Sequence, residues 1–372
     1  MIKTVNLNNI KIFYLPTTQF IPQSLITEDP PYFIELEVST KEEVRLQDKK
    51  ITDQIIERIS PFGGHSTLIS KNRSLRPQPD EQETKPDNTN IQNCLFDNID
   101  KVAKPVIEYP EYGVYQAPNP FAFNTGYHEI IFTKEHVERL DQIQYKHILG
   151  ILSVMVKRSQ YLSNIEGVNQ ISAGVNLGTS KMKFSAGASQ PHLHAQIGAV
   201  YKLGYLPDSD RIENVCAEFE KMGIDYMGKY FEAVRTARLN VFETKNFIVF
   251  APFAPRFKDE IHIVSKTTKF PNLTMINSEQ IQEISHLIIK IFTAYTNMKF
   301  PNKDGNMVNA GIDSLNIEFL GNRFDSKSQG RLLIKIMPRQ SDLAYSELLG
   351  RFVIDRYPEN TADAIRNETN TE

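Results

Sequence analysis

Asn176 and Gly178, followed by Ser185-Ala186-Gly187-Ala188-Ser189-Gln190-Pro191-His192-Leu193-His194-Ala195-Gln196-Ile197, form the stretch on which the reading of this chain turns. His192, His194 and Gln196 are spaced by two, so on a strand they share one face, while Leu193, Ala195 and Ile197 form the apolar other face of a half-buried strand. The turn of small residues ahead of them can bring backbone N–H groups and an imidazole to one phosphate. An imidazole in that place serves either as a base that activates water or as the nucleophile that takes the phosphoryl group itself. A nucleophile must be neutral, with one ring nitrogen free and the other donating a hydrogen bond that fixes the tautomer; for His194 a backbone carbonyl near His192 is the expected acceptor. Gln196, uncharged and able both to donate and to accept, suits contact with a phosphoryl oxygen or the leaving group. The competing reading, two half-buried histidines facing a polar groove, needs no chemistry at all.

The order of parts occurs twice. Pro120-Phe121-Ala122 leads to a strand ending in Phe132, a helix after His136, a strand around Ser172 to Leu177, and then the His192–Ile197 strand. Pro252-Phe253-Ala254 leads to a strand Glu260–Val264, a helix from about Ser278, a strand near Ser314 to Leu320, and Arg331 to Ile336. Arg331, Leu333 and Lys335 then replace His192, His194 and Gln196, so the second copy cannot do histidine chemistry. Its two cations read either as a wall for phosphate or, as for most Lys and Arg, as solvated surface charges. Apolar stripes at Val137, Leu140, Ile143, Ile148, Ile151, Leu152 and Met155, and at Ile281, Ile284, Ile288, Ile291 and Phe292 behind an Asn277 cap, mark packing helices. A third helical stretch, about Asp210 to Arg238, links the copies.

Asn-x-Gly, Ala-Gly-Ala-Ser and His-x-His-x-Gln together resemble the active-site signature of the galactose-1-phosphate uridylyltransferase branch of the histidine triad superfamily, which also includes sugar-nucleotide and dinucleotide phosphorylases. Further likenesses are Ser60-Pro61-Phe62-Gly63-Gly64-His65 through Arg73-Ser74-Leu75-Arg76-Pro77, the Gly126-Tyr127-His128-Glu129 strand, and Pro338-Arg339 through Glu347 to Pro358-Glu359. The resemblance implies an α+β fold: a duplicated histidine-triad-like fold with two antiparallel sheets backed by helices, the second copy lacking its histidine site. It implies residues 51–205 as the catalytic domain and 206–372 as the degenerate one, and leaves residues 1–50, which the family does not explain, as an amino-terminal extension. It assigns His194 as the residue that forms a covalent nucleotidyl intermediate and Gln196 as its phosphate contact. Asn119 and Phe121 fall where the family places base and ribose; Asn176, Gly187 and Ser189 where it holds phosphates; Glu347 where it contacts hexose hydroxyls, in a homodimer whose partner completes that site.

Cys94, Asp97, His136 and His192 match the positions of a four-ligand structural zinc site of the family, with Cys-x-x-Asp in place of Cys-x-x-Cys. Without that resemblance Cys94 reads as a small apolar residue and Asp97 as a turn former. Other departures concern the acceptor. Ser341 and Asp342 stand where uridylyltransferases have a lysine and an aromatic, and Leu193 replaces a proline; both argue against galactose 1-phosphate. About five extra residues around Ser180 to Phe184 carry two lysines that suit an additional anionic group.

A formal net charge of −3 over 372 residues leaves no basic footprint for nucleic acid. Two cysteines imply no disulfide framework and fit a reducing cytoplasm, and no apolar run approaches the roughly 20 residues of a membrane helix. Residues 1–50 offer strand candidates at Ile10–Tyr14 and Tyr32–Leu36, and residues 78–92 read as a polar loop. The expected function is therefore transfer of a nucleoside monophosphate from a nucleoside diphosphate sugar or triphosphate to an anionic acceptor. A phosphorylase or hydrolase, and a non-catalytic nucleotide-binding protein, are the alternatives.

Overall fold

The computed structural model describes residues 33–39, 54–70, 94–121, 127–178, 186–202, 206–302, 305–341, 343 and 345–369, and five short strands before residue 52. Arg73 to Pro77, the polar loop 78–92, Gly126, the 180–184 insertion, Ser185 and Asp342 lie outside them.

One antiparallel sheet of ten strands organises the chain. Its first half is β1 (Ile107–Tyr109), β2 (Val114–Pro118), β3 (His128–Thr133), β4 (Val168–Leu177) and β5 (His194–Tyr201); its second is β6 (Asn240–Glu243), β7 (Phe247–Phe250), β8 (Ile261–Ser265), β9 (Leu315–Leu320) and β10 (Leu333–Pro338). The spatial order is 1-2-3-5-4 and then 9-10-8-7-6, so the halves share one connectivity and meet at β4 and β9. The two expected antiparallel sheets are thus joined edge to edge, which removes two open edges. Gly174 lies on that seam: a Cβ there would stand 2.8 Å from the Ile317 carbonyl oxygen.

Alternation assigns the faces. Leu193 just before β5, Ala195 and Ile197 within it, and Ile334 and Ile336 of β10 point into one continuous core with helices α1 (Tyr145–Leu162) and α4 (Ser278–Asn297). The expected cap of α4 is present: the Asn277 side chain accepts from Glu279 and Gln280 N–H, and Gln280 reaches back. The first expected helix starts at Tyr145 rather than near His136, after a 3₁₀ turn at Leu140–Gln142. The linking stretch is two helices, α2 (Pro207–Glu220) and α3 (Tyr226–Thr236). They part at Gly223, which takes φ +76°, and α3 restarts on the Asp225 side chain accepting from Gly228 N–H.

The opposite face differs between the halves. In the second, α2 and α3 cover it, burying Leu333 with Ile248, Phe250 and Val264. In the first, that face carries His128, His194 and Gln196. A leucine where β5 has a histidine is therefore the residue that a helix-covered face requires. The charges nearby correct one expectation. Lys335 is buried on Asp208 at 2.5 Å, and Arg331 holds Asp225 through two hydrogen bonds, so neither is a solvated surface charge.

A second sheet joins Lys3–Val5, Ile34–Ser39, Gln54–Ile59, Ser66–Ile69 and Arg351–Ile354, so strands on both sides of residue 50 and one near the carboxyl end pair together. Arg58 pins it, donating to Glu35 at 3.1 Å and to Glu359 at 2.8 and 3.0 Å. Among the described residues no helix is long and apolar enough to cross a membrane.

Candidate active site

His194 opens β5, buried, opposite Phe132 of β3, with the Phe96 ring at 5.2 Å. Its Nδ1–H donates to the His192 carbonyl oxygen at 2.7 Å, the kind of acceptor that the sequence called for. That bond fixes the tautomer and leaves Nε2 as the lone-pair nitrogen, with no hydrogen-bond partner among the described residues. Burial pulls the ring's pKa below the ordinary histidine value, against the pull of the carbonyl, so His194 is neutral at pH 7.

Gln196 follows on the same face and is oriented by its neighbours. The Phe121 backbone N–H donates to Asn119 Oδ1 at 2.9 Å, which makes Asn119 Nδ2 the donor toward Gln196 Oε1 at 3.4 Å. His128 Nε2–H donates to the same oxygen at 2.9 Å. With Oε1 occupied twice, the Gln196 NH2 is left to donate elsewhere. His128, which sequence reasoning quoted without assigning a role, is therefore part of the site. Its signal is the β3–β5 register, which sets His128 opposite Gly198 and hence diagonal to Gln196, and no single-strand pattern reveals that. His128→Leu is expected to lower kcat roughly tenfold, about the worth of one hydrogen bond, with His128→Asn restoring part of it; steady-state kinetics measure both.

The other expected residues fall in three places. Asn176 and Glu347 line a cavity with Gln196 and His128, and Asn176 Oδ1 accepts from Asn316 Nδ2 at 2.8 Å. Gly187, with φ +81°, and Ser189 are exposed in the small-residue turn, which is closed where Ala186 and Ala188 N–H donate to the Gly178 carbonyl. Phe121 is 85% exposed and reaches no part of the cavity lining, so its contribution here is its backbone N–H.

Cys94, Asp97, His136 and His192 converge: one ligand atom from each lies within 4.8 Å of all the others. His192 Nε2–H donates to the Thr133 carbonyl at 2.8 Å, which turns Nδ1 toward Cys94 Sγ at 3.6 Å and Asp97 Oδ1 at 3.3 Å. Burial pulls the His192 pKa down to about 4, so the ring is neutral, as a ligand must be. His136 packs its ring 4.9 Å from that of His192 and bonds Asp97 at 2.9 Å, while its buried Nε2 has no hydrogen-bond partner. Tetrahedral zinc with these donor types separates its ligand atoms by about 3.3–3.8 Å, so the set fits after a small contraction.

Fold and site together define a duplicated antiparallel α+β architecture with one histidine site, and comparison with known proteins finds the fold elsewhere. No family model matches the chain. A galactose-1-phosphate uridylyltransferase of Thermotoga maritima is 28% identical over 176 residues, 44% of this chain and 49% of that protein, so the match spans about half of the curated relative's length. Among solved structures, an ADP-glucose phosphorylase from Arabidopsis thaliana, crystallised with ADP-glucose, superposes with a TM-score of 0.63 at 18% identity, covering 83% of this chain and 98% of that one. A uridylyltransferase structure gives 0.59 at 19% identity, covering 85% and 98%. The likeness to the galactose-1-phosphate uridylyltransferase branch read from the motifs therefore holds, with the fold shared along most of the chain.

Proposed function

We propose that this chain is a nucleotidyltransferase that works through a covalent nucleotidyl-His194 intermediate. The observation that carries the reading is the His194 Nδ1–H bond to the His192 carbonyl, which presents a neutral ring with Nε2 unprotonated. Nε2 attacks the α-phosphorus of a nucleoside diphosphate sugar or triphosphate; a P–N bond forms, the P–O bond to the leaving group breaks, and sugar phosphate or pyrophosphate departs. An anionic acceptor then attacks the same phosphorus and returns the lone pair to Nε2. The Gln196 NH2, aimed by His128 and Asn119, donates to the oxygens that gain charge, and the small-residue turn at Gly187 and Ser189 would hold further phosphate oxygens. Asn176 and Glu347 contribute to the substrate cavity, and Asn119 and Phe121 mark the nucleoside side. Product analysis with radiolabelled donor tests the reading: exchange of label between donor and leaving group without acceptor is expected, and its absence would count against a ping-pong path.

Cys94, Asp97, His136 and His192 are the residues that would hold a zinc ion. Bound there, the ion would tie the segment around Cys94 to the start of β5 and so fix His194 from behind, without taking part in the transfer. Cys94→Ser is expected to reduce bound zinc well below one per chain and to lower the melting temperature, read by elemental analysis and calorimetry. A homodimer belongs to this reading: Tyr345, Leu348 and Leu349, beside Glu347, are each at least 75% exposed, and a second copy would cover them.

A further inference from the structure

The cavity that starts at Gln196 continues over the second half of the sheet, about 460 Å³ in all, and Arg256 and Arg339 line it there. Gln196, Gly174, Glu318 and Lys335 are direct cross-strand partners in one row. Glu318 is thus two strand spacings, roughly 10 Å, and Lys335 three, roughly 14 Å, from Gln196. Gly174, having no side chain, leaves the space between them open.

With Glu318 beside Lys335, four cations, Lys335, Arg256, Arg211 and Arg339, stand against three carboxylates, Asp208, Glu260 and Glu318. Asp208 is shared by Lys335 at 2.5 Å, Arg256 at 2.5 Å and Arg211 at 2.7 Å. Glu260 is taken up by the backbone N–H groups of Arg256 and Phe257 and by His262. Arg256 commits only Nη2 to Asp208, so Nε and Nη1 have no hydrogen-bond acceptor among the described residues. Both guanidinium groups are held by rings of the same cavity, Arg256 at 5.7 Å from the Phe352 centroid and Arg339 at 4.5 Å from that of Phe257. Between this end and Gln196 stand the carboxyls of Glu318 and Glu347, which accept hydrogen bonds from hydroxyls and repel anions.

We propose that Arg256 and Arg339 form a second anion subsite, so that the acceptor is a hydroxyl-bearing phosphate ester with a further anionic group at its far end. The reacting phosphate lies beside Gln196, the hydroxyls over Gly174 and Glu318, and the second anion against the guanidinium groups, which are the side chains best suited to a planar or tetrahedral oxyanion. This rests on the nucleotidyl-transfer reading for the position of the reacting phosphate. It adds a requirement on substrate class that one phosphate alone does not meet.

Calorimetric titration of the unreacted protein at low ionic strength tests it with three probes: glucose 1-phosphate, glucose 1,6-bisphosphate and glucuronate 1-phosphate. Either doubly anionic probe is expected to bind at least tenfold more tightly than glucose 1-phosphate, and comparison of the two tells a phosphate from a carboxylate as the second group. The advantage should fall to less than threefold in Arg256→Gln and in Arg339→Gln; the second variant leaves the Asp208 ion pairs intact and serves if the first does not fold. No advantage in the wild type, or an advantage that survives in the folded variants, would overturn the proposal. Mass analysis for a nucleotidyl adduct, run alongside, separates the two claims: an anion preference without any adduct would leave the subsite standing and sink the transfer reading instead.

Discussion

Replacing His194 with alanine is expected to cut turnover by at least roughly a thousandfold while the chain stays folded, because removal of a covalent nucleophile leaves only binding and electrostatic stabilisation behind. The imidazole's one hydrogen bond among the described residues goes to the backbone carbonyl two positions before it, so its loss breaks no link between distant elements. Far-ultraviolet circular dichroism should match the wild type, and label exchange should vanish. A folded His194→Ala variant that kept more than a tenth of wild-type activity would mean that water, or another residue, attacks phosphorus. His192→Ala should behave differently. Its side chain bonds Thr133 and faces Cys94 and Asp97, so activity and thermal stability should fall together.

The second large effect concerns stability. Asp259 is fully buried, and its carboxylate accepts from Arg356 at 2.7 and 2.8 Å, from Gln340 at 2.8 Å and from Thr361 at 2.7 Å, while its carbonyl accepts from the Tyr295 hydroxyl. These bonds anchor the carboxy-terminal helix α5 (Pro358–Thr369) to the loop ahead of β8. Asp259→Ala would leave Arg356 without its carboxylate and is expected to cost about 3–5 kcal/mol in denaturant unfolding. Burial alone would raise the Asp259 pKa, but Arg356 and the two hydrogen bonds outweigh it and hold the group below the ordinary carboxylate range. Because the folded pKa is depressed, this stabilisation is fully present above the unfolded value of about 4 and is lost as pH falls through the folded one. The wild type should therefore lose stability below about pH 4 more steeply than Asp259→Ala does. Parallel curves for the two would show that the anchor contributes little.

What could be read in the sequence was local. The α4 stripe and its Asn277 cap, the alternation of β5 and the repeated order of parts all follow from short-range periodicity, and the structure places each of them. The four residues from Cys94 to His192 were gathered by resemblance, and they do converge. What escaped depends on pairing between distant segments. The seam at β4 and β9 requires a register that no single strand encodes, and the second sheet pairs strands near both ends of the chain. His128 gained its role from a diagonal contact, and Lys335 lost its surface reading because Asp208 arrives from a helix 127 residues earlier. Phe121, the motif position expected beside the nucleoside, is exposed, and its burial depends on a ligand rather than on the chain's own packing.

The most direct measurement is the intact mass of the protein after brief incubation with each common nucleoside triphosphate and diphosphate sugar, beside His194→Ala. An increase of one nucleoside monophosphate is expected with at least one donor, seen in the wild type and absent from the variant. An adduct that persists in His194→Ala, or none with any donor while product still forms, would contradict it.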